Sequence, residues 1–255
     1  MQRLSVDNPF NAPVYHEDTV DTTMEVSRAL ARNGEPHGTV IAADFQSAGR
    51  GRLKERAWDM ERGTNLAFTV LLRFPGIEGI PSALPLRTGL AVSLAIEDFA
   101  PALAGSVLIK WPNDVLIGKA KAVGILVEAD GGNVHIGIGV NVGQKQFPGF
   151  LQGKATSIGL AANREIADGE RYKLLEKILI RLRAEVETPS NSWRERIEAR
   201  LYQKGRPVCF AGGPADSPRM VTGILCGIGP GGELLLIPDG GAETLSFTTG
   251  ELRLT

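Results

Sequence analysis

The chain has 255 residues, 43% of them hydrophobic, a formal net charge of −1 and two cysteines, Cys209 and Cys226. That length suits one large domain, or one with a small appendage, and the apolar content is enough for a sizeable core. The near-neutral charge argues against a nucleic-acid binder, the two cysteines argue against a disulfide framework, and the N-terminus MQRLSVDNPFNAPVYHED has neither the basic nor the apolar region of a signal peptide.

Thr22 and Glu25 have the T-x-x-E spacing of a capping box, which predicts a first helix over residues 23–33 closed by Gly34. A strand is expected at 39–45, a polar loop rich in glycine and arginine at 46–64, and a second strand at 65–73. The next helix is expected at 81–99, with proline in its first turn. Strands at 107–110, 122–128 and 134–142 follow, then helices from 168 or 169 to 187 and over 193–201. Composition changes near residue 204, beyond which 11 of 52 residues are glycine and four or five short apolar runs are divided by Gly-Gly pairs. The pattern predicts an α+β domain over 1–203 and a small SH3-like β-barrel over 204–255. No uninterrupted run of about 18 apolar residues occurs, so no transmembrane helix is expected and the cytoplasm is the default location.

Four stretches carry candidate chemistry. In Gln46-Ser47-Ala48-Gly49-Arg50-Gly51-Arg52, glycines let the backbone approach a ligand and arginines fork onto carboxylate or phosphate oxygens. The dinucleotide fingerprint fails there, because Lys54 occupies its third glycine position, and no G-K-[ST] P-loop occurs. A solvated structural loop remains open as a reading. An RNA-binding loop is disfavoured by Glu55, Asp59 and Glu61 among the arginines. Lys110-Trp111-Pro112-Asn113-Asp114 reads either as an ordinary turn or as a place where Asn113 and Asp114 face a polar ligand or metal. Lys121 precedes the apolar strand A-V-G-I-L-V, at whose mouth a lysine either reaches into a cleft as a point charge or merely flanks it. Gly137 and Gly139 weaken their strand unless something packs against its backbone, and Asn141 needs amide partners if buried.

In this order and spacing, ADFQSAGRGR, Trp58, TNLAFTVLLR, KWPNDV, KAVGILVE and GIGVNV resemble the catalytic domain of the biotin–protein ligases over about residues 15–203. The tail resembles that family's SH3-like domain. The resemblance implies the mixed-sheet fold shared with lipoate ligases and two half-reactions. Biotin's carboxylate attacks the α-phosphate of ATP, and a lysine of a biotin carboxyl carrier protein then attacks the resulting adenylate. It also implies ATP with Mg²⁺, no nucleic acid or membrane partner, and the homodimers common in the family. By position, Thr22 and Thr23 match the family's hydroxyl pair at biotin's ureido ring, and Gln46 the family glutamine beside biotin. Gly49, Arg50, Gly51 and Arg52 match the loop that closes over the adenylate, Trp58 the aromatic that covers the ligand, and Gly124 the glycine of the biotin pocket. Lys121 matches the family lysine at biotin's carboxylate, with Arg50 and Arg52 as its catalytic companions. Asn113 and Asp114 match the pair near the phosphates and magnesium, with Asp114 as metal ligand, and Asn141 matches the asparagine near adenine.

Two departures stand out. Met24 occupies the place of the family asparagine, and Lys54 stands where the loop has glycine, with one extra residue before Trp58. About 15 residues before the catalytic motifs are too few for the winged-helix domain of the ligase–repressors, so no DNA binding is expected. A lipoate or other acyl ligase of the same fold, and a non-catalytic biotin-binding module, remain the alternatives.

Overall fold

The computed structural model describes residues 1–52, 57–187, 192–213 and 218–253. Its elements, in chain order, are β1 (Gln2–Arg3), β2 (Val14–Glu17), α1 (Thr23–Arg32), β3 (Thr39–Ala43), β4 (Leu66–Arg73), α2 (Leu84–Phe99), β5 (Val107–Lys110), β6 (Asp114–Ile117), β7 (Ala120–Asp130) and β8 (Asn133–Val140). There follow α3 (Ile158–Ala161), α4 (Glu170–Glu187), α5 (Trp193–Glu198), β9 (Pro207–Gly212), β10 (Arg219–Ile228), β11 (Leu234–Pro238), β12 (Leu245–Phe247) and β13 (Gly250–Leu252). The first eight strands form one mixed sheet in the order β1-β2-β3-β4-β8-β7-β6-β5, and the last five form an antiparallel SH3-like sheet, β12-β11-β10-β9-β13. This is the expected α+β class.

Strand alternation divides the large sheet into two faces. Phe68, Val70, Val123, Ile125, Ile136 and Ile138 point toward α2 and α4 and build the main core. Ala67, Thr69, Gly137 and Gly139 lie on the other face, part of which α1 covers. Residues 77–99 are apolar and long enough to cross a membrane by composition alone, although Arg87, Glu97 and Asp98 interrupt the run. In the fold this is a core helix, with 61% of its most apolar window buried.

Several boundaries differ from expectation. Helix α2 starts at Leu84 rather than 81, because Ala83 takes a left-handed conformation (φ 55°) that breaks the helical path, and Pro85 then falls in the first turn. The capping box is half formed. Thr22 accepts from the amide of Met24, while Glu25 turns to Arg28. The parallel strand β2 and the short strand β6 were not expected. The Trp111–Pro112 bond is cis, and Lys110 pairs with Asp114 across the turn. Cys209 and Cys226 are free and half-buried.

The expected domain boundary at 203/204 falls between α5 and β9, but the two sheets share a core. Leu86, Leu90, Ile109, Trp111 and Ile197 pack with Phe210, Leu225, Ile228 and Leu236. Trp111 is the bolt of this junction. It is 2% exposed, its indole N–H donates to Gly232 O at 2.9 Å, and its ring meets Phe210 edge-on at 5.8 Å. Trp111→Ala should therefore destabilise the fold by about 3–5 kcal/mol, the usual result of emptying so large a site. Urea unfolding monitored by circular dichroism will show it, and an unchanged midpoint would mean that the two sheets are held together elsewhere.

Candidate active site

The site lies on the α1 face of the large sheet. Gly124 and Gly139 are register partners on β7 and β8, and Gly137 follows two residues along. Together they make a floor without side chains. Trp58 lies flat against it: a Cβ on Gly139 would sit 2.5 Å from Trp58 Cε2, and one on Gly124 2.8 Å from Trp58 Cζ3. Met24 covers Gly137, its sulfur 2.8 Å from where a Cβ would be. The in-strand glycines thus have the close packing that their weak strand propensity called for.

The loop after β3 delivers Trp58 by backbone bonds. Ser47 and Ala48 donate to Val20 O and Asp21 O, which ties the loop beside the N-terminus of α1. Arg50 and Ala57 form an antiparallel bridge, and Trp58 N donates to Gly49 O at 2.9 Å, which closes a flap. Leu53 to Arg56 lie outside the described residues, and with them the position of Lys54. The indole N–H of Trp58 is buried without a hydrogen-bond partner.

A β-bulge aims Lys121. Asp114 pairs with Gly124 and Val115 with Val123, but Leu116 pairs with Lys121, which leaves Ala122 as an extra residue. Strict alternation would send Lys121 to the same face as Val123, into the core. The bulge turns it to the glycine face, where its Cε lies 3.5 Å from the Cβ position of Gly124. Its ammonium contacts Asp114 Oδ1 at 2.6 Å and stands 5.8 Å from the Trp58 ring centroid.

Asp114 is held from a second side. Lys110, 3% exposed, places its ammonium 3.6 Å from Asp114 Oδ2 and 3.9 Å from Glu251 Oε1 on β13. Burial pulls the Lys110 pKa down, and the two carboxylates partly restore it. Asn113 is structural in this arrangement: its side-chain N–H donates to Ile125 O at 2.7 Å, and its carbonyl accepts from Ile125 N at 3.0 Å. Asn141 follows β8, with its amide N–H on Thr156 O and its Oδ1 buried without a partner.

The arginines do not converge on Lys121. Arg50 reaches Glu128 at 3.3 Å, a carboxylate that Arg28 also holds. Arg52 donates to Gly250 O on β13 at 2.7 Å. Thr22 is the helix cap, and Thr23 and Gln46 bond one another directly. Among the described residues the one metal-ligand grouping is His16, Asp18 and Asp44, which includes none of these side chains, and Asp44 is bound by Arg171 at 2.7 Å. A surface hollow bordered by Asp59, Met60 and Gln144 does not reach the glycine floor, over which Trp58 lies.

Residues 18–144 match the model of the biotin/lipoate A/B protein ligase family. Over 238 residues the chain is 32% identical to the biotin–[acetyl-CoA-carboxylase] ligase of Paracoccus denitrificans, covering 88% of this chain and 94% of that protein. The chain belongs to the biotin–protein ligase family. It is also 37% identical over 175 residues to the bifunctional ligase/repressor BirA of Bacillus subtilis strain 168, a match covering 66% of this chain and 51% of that protein. The chain thus spans about half the length of the first curated relatives it matches. Among solved structures, the biotin protein ligase of Aquifex aeolicus in complex with biotin and ATP matches with a TM-score of 0.77 at 29% identity, covering 95% of this chain and 98% of that one.

Three residues of this candidate site were given no role by the sequence: Lys110, Glu128 and Thr69. Lys110 had a usable signal, an ionisable residue ending an otherwise apolar strand. Glu128 and Thr69 had none, because their partners come from α1 and the flap. Behind them, His135 is 2% exposed, with Nδ1 2.8 Å from Ser27 Oγ. Burial, then the charge of Arg28, holds its pKa below the usual histidine range. The folded state therefore resists a proton that the unfolded chain accepts. Stability should fall as pH drops below about 6.5 and level off once the folded-state histidine itself titrates. His135→Gln should flatten that part of the curve, and urea midpoints across this pH range that decline equally in both proteins would assign the acid sensitivity to other groups.

Proposed function

We propose that the chain is an ATP-dependent ligase that forms biotinyl-5′-AMP and transfers biotin to one lysine of a biotin carboxyl carrier protein. The observation that carries this reading is the glycine floor, covered in the free protein by the Trp58 indole on its flap, with Lys121 aimed onto it by a bulge. A surface without side chains accepts a compact fused ring closely, and the lysine lies beside it to meet the ring's acid chain. In the first step a carboxylate oxygen of biotin bonds to the α-phosphorus of ATP and pyrophosphate leaves. In the second the carrier amine attacks the acyl carbonyl, the bond to AMP breaks and the amine loses a proton. Neither step needs a covalent enzyme intermediate, so the protein contributes position and charge.

On this reading Lys121 exchanges Asp114 for the carboxylate and then steadies the charge that develops on the phosphorus oxygens. Arg50 and Arg52 leave Glu128 and Gly250 for the adenylate, Gln46 and Thr23 hold the ring, and Asn141 offers its free Oδ1 to the adenine amine. Magnesium enters with ATP. Asp114 does not fit as its ligand in this arrangement, because both its oxygens face ammonium groups, and no step is assigned to a metal there. Thermal shift separates the acyl groups: biotin plus ATP should raise the melting temperature more than either alone, and a shift only with lipoate plus ATP would overturn the assignment.

A further inference from the structure

Beside the glycine floor, three side chains form a hydrogen-bond chain whose direction is fixed. The backbone N–H of Thr23 lies 2.8 Å from the Gln46 side chain. A backbone N–H only donates, so the atom it meets is Oε1, and Gln46 Nε2 is the outer end of the amide. The Thr23 hydroxyl lies 3.1 Å from the same oxygen and must donate as well. Having spent its one proton, it bonds the Thr69 hydroxyl at 2.8 Å only by accepting. Thr69 is fully buried on β4, opposite Gly137, where no water competes for the bond.

The result is an ordered edge. Gln46 Nε2 has no partner among the described residues and presents N–H donors, while Thr23 Oγ1 keeps one lone pair and presents an acceptor. An adjacent donor and acceptor complement the C=O and N–H of a cyclic urea or amide. Met24, the neighbouring side chain over Gly137, adds no polar group to this edge.

We propose that Thr69 is a positioning residue for ligand recognition, its hydroxyl holding the Thr23 hydroxyl as the acceptor beside the Gln46 donor. This rests on the biotin reading above. In Thr69→Val the Thr23 hydroxyl loses one of its two anchors and is held only by its bond to Gln46 Oε1. The KM for biotin in ATP–pyrophosphate exchange should rise about five- to tenfold, the effect of one neutral hydrogen bond, with kcat unchanged. Thr69→Ser, which keeps the hydroxyl, should restore the wild-type KM. The wild type should also prefer biotin over 2-iminobiotin, whose protonated imine sets donor against donor at Gln46.

An unchanged KM in Thr69→Val, a serine variant as impaired as the valine one, a fall in kcat alone, or equal use of both ligands would each overturn the proposal. A mere folding defect would lower the melting temperature and the kcat of the valine variant without the split between KM and kcat. A wild type inert toward biotin would instead remove the biotin reading, and the proposal with it.

Discussion

Lys121→Ala is expected to slow adenylate formation by about 10²- to 10³-fold, the range for removing one preorganised charge from a reacting centre, with the fold intact. The fold should survive for a geometric reason. Lys121 is partly exposed, and its loss leaves Asp114 with the ammonium of Lys110 at 3.6 Å, so no carboxylate is stranded. The strand also keeps its place, because Lys121 is tied through its backbone to Lys154 O and to Thr156 N. Single-turnover formation of labelled biotinyl-AMP reads the effect directly. A rate within about threefold of wild type, far below one charge's worth of stabilisation, would take Lys121 out of the chemistry.

Gly139→Ala should weaken biotin binding by at least about 100-fold, since the added methyl takes volume that neither the backbone of β8 nor a rigid ring seated on it can yield. In the free protein the new Cβ would stand 2.5 Å from the Trp58 indole. That ring sits on a flap and can withdraw, so the melting temperature should change little. The ligand has no such retreat, because it needs both the floor and Lys121. Gly149→Ala, where a Cβ meets nothing within 4 Å, serves as the control. Isothermal titration with biotin separates the two variants, and equal affinities would show that the ring binds away from Gly139.

The sequence was most legible where local rules decide structure. Strand β5 falls at 107–110 as expected, and α4 and the tail strands fall within a few residues, because apolar periodicity and glycine punctuation act over short distances. Gly137 and Gly139 announced a close approach to the backbone, though not that Trp58 and Met24 would make it. The illegible features depend on distant partners. Strand β2 is four residues long and exists by parallel pairing with β3. The bulge at Ala122, which decides the face of Lys121, leaves no mark in a run of apolar residues. Lys110 reads as half of a turn motif until β13 brings Glu251 to it across the junction of the two sheets. Arg50 and Arg52 read as partners for anions, and in the free protein Glu128 and Gly250 O occupy them.

The central claim is transfer of biotin to a carrier, and one measurement tests it most directly. The purified chain is incubated with biotin, MgATP and a biotin carboxyl carrier domain, and the domain is then weighed by intact mass spectrometry. The account predicts a mass gain of one biotinyl group that requires ATP and disappears when the acceptor lysine of the carrier is replaced by arginine. Tight biotin binding with an unlabelled carrier would contradict it and leave a binding module in place of a ligase.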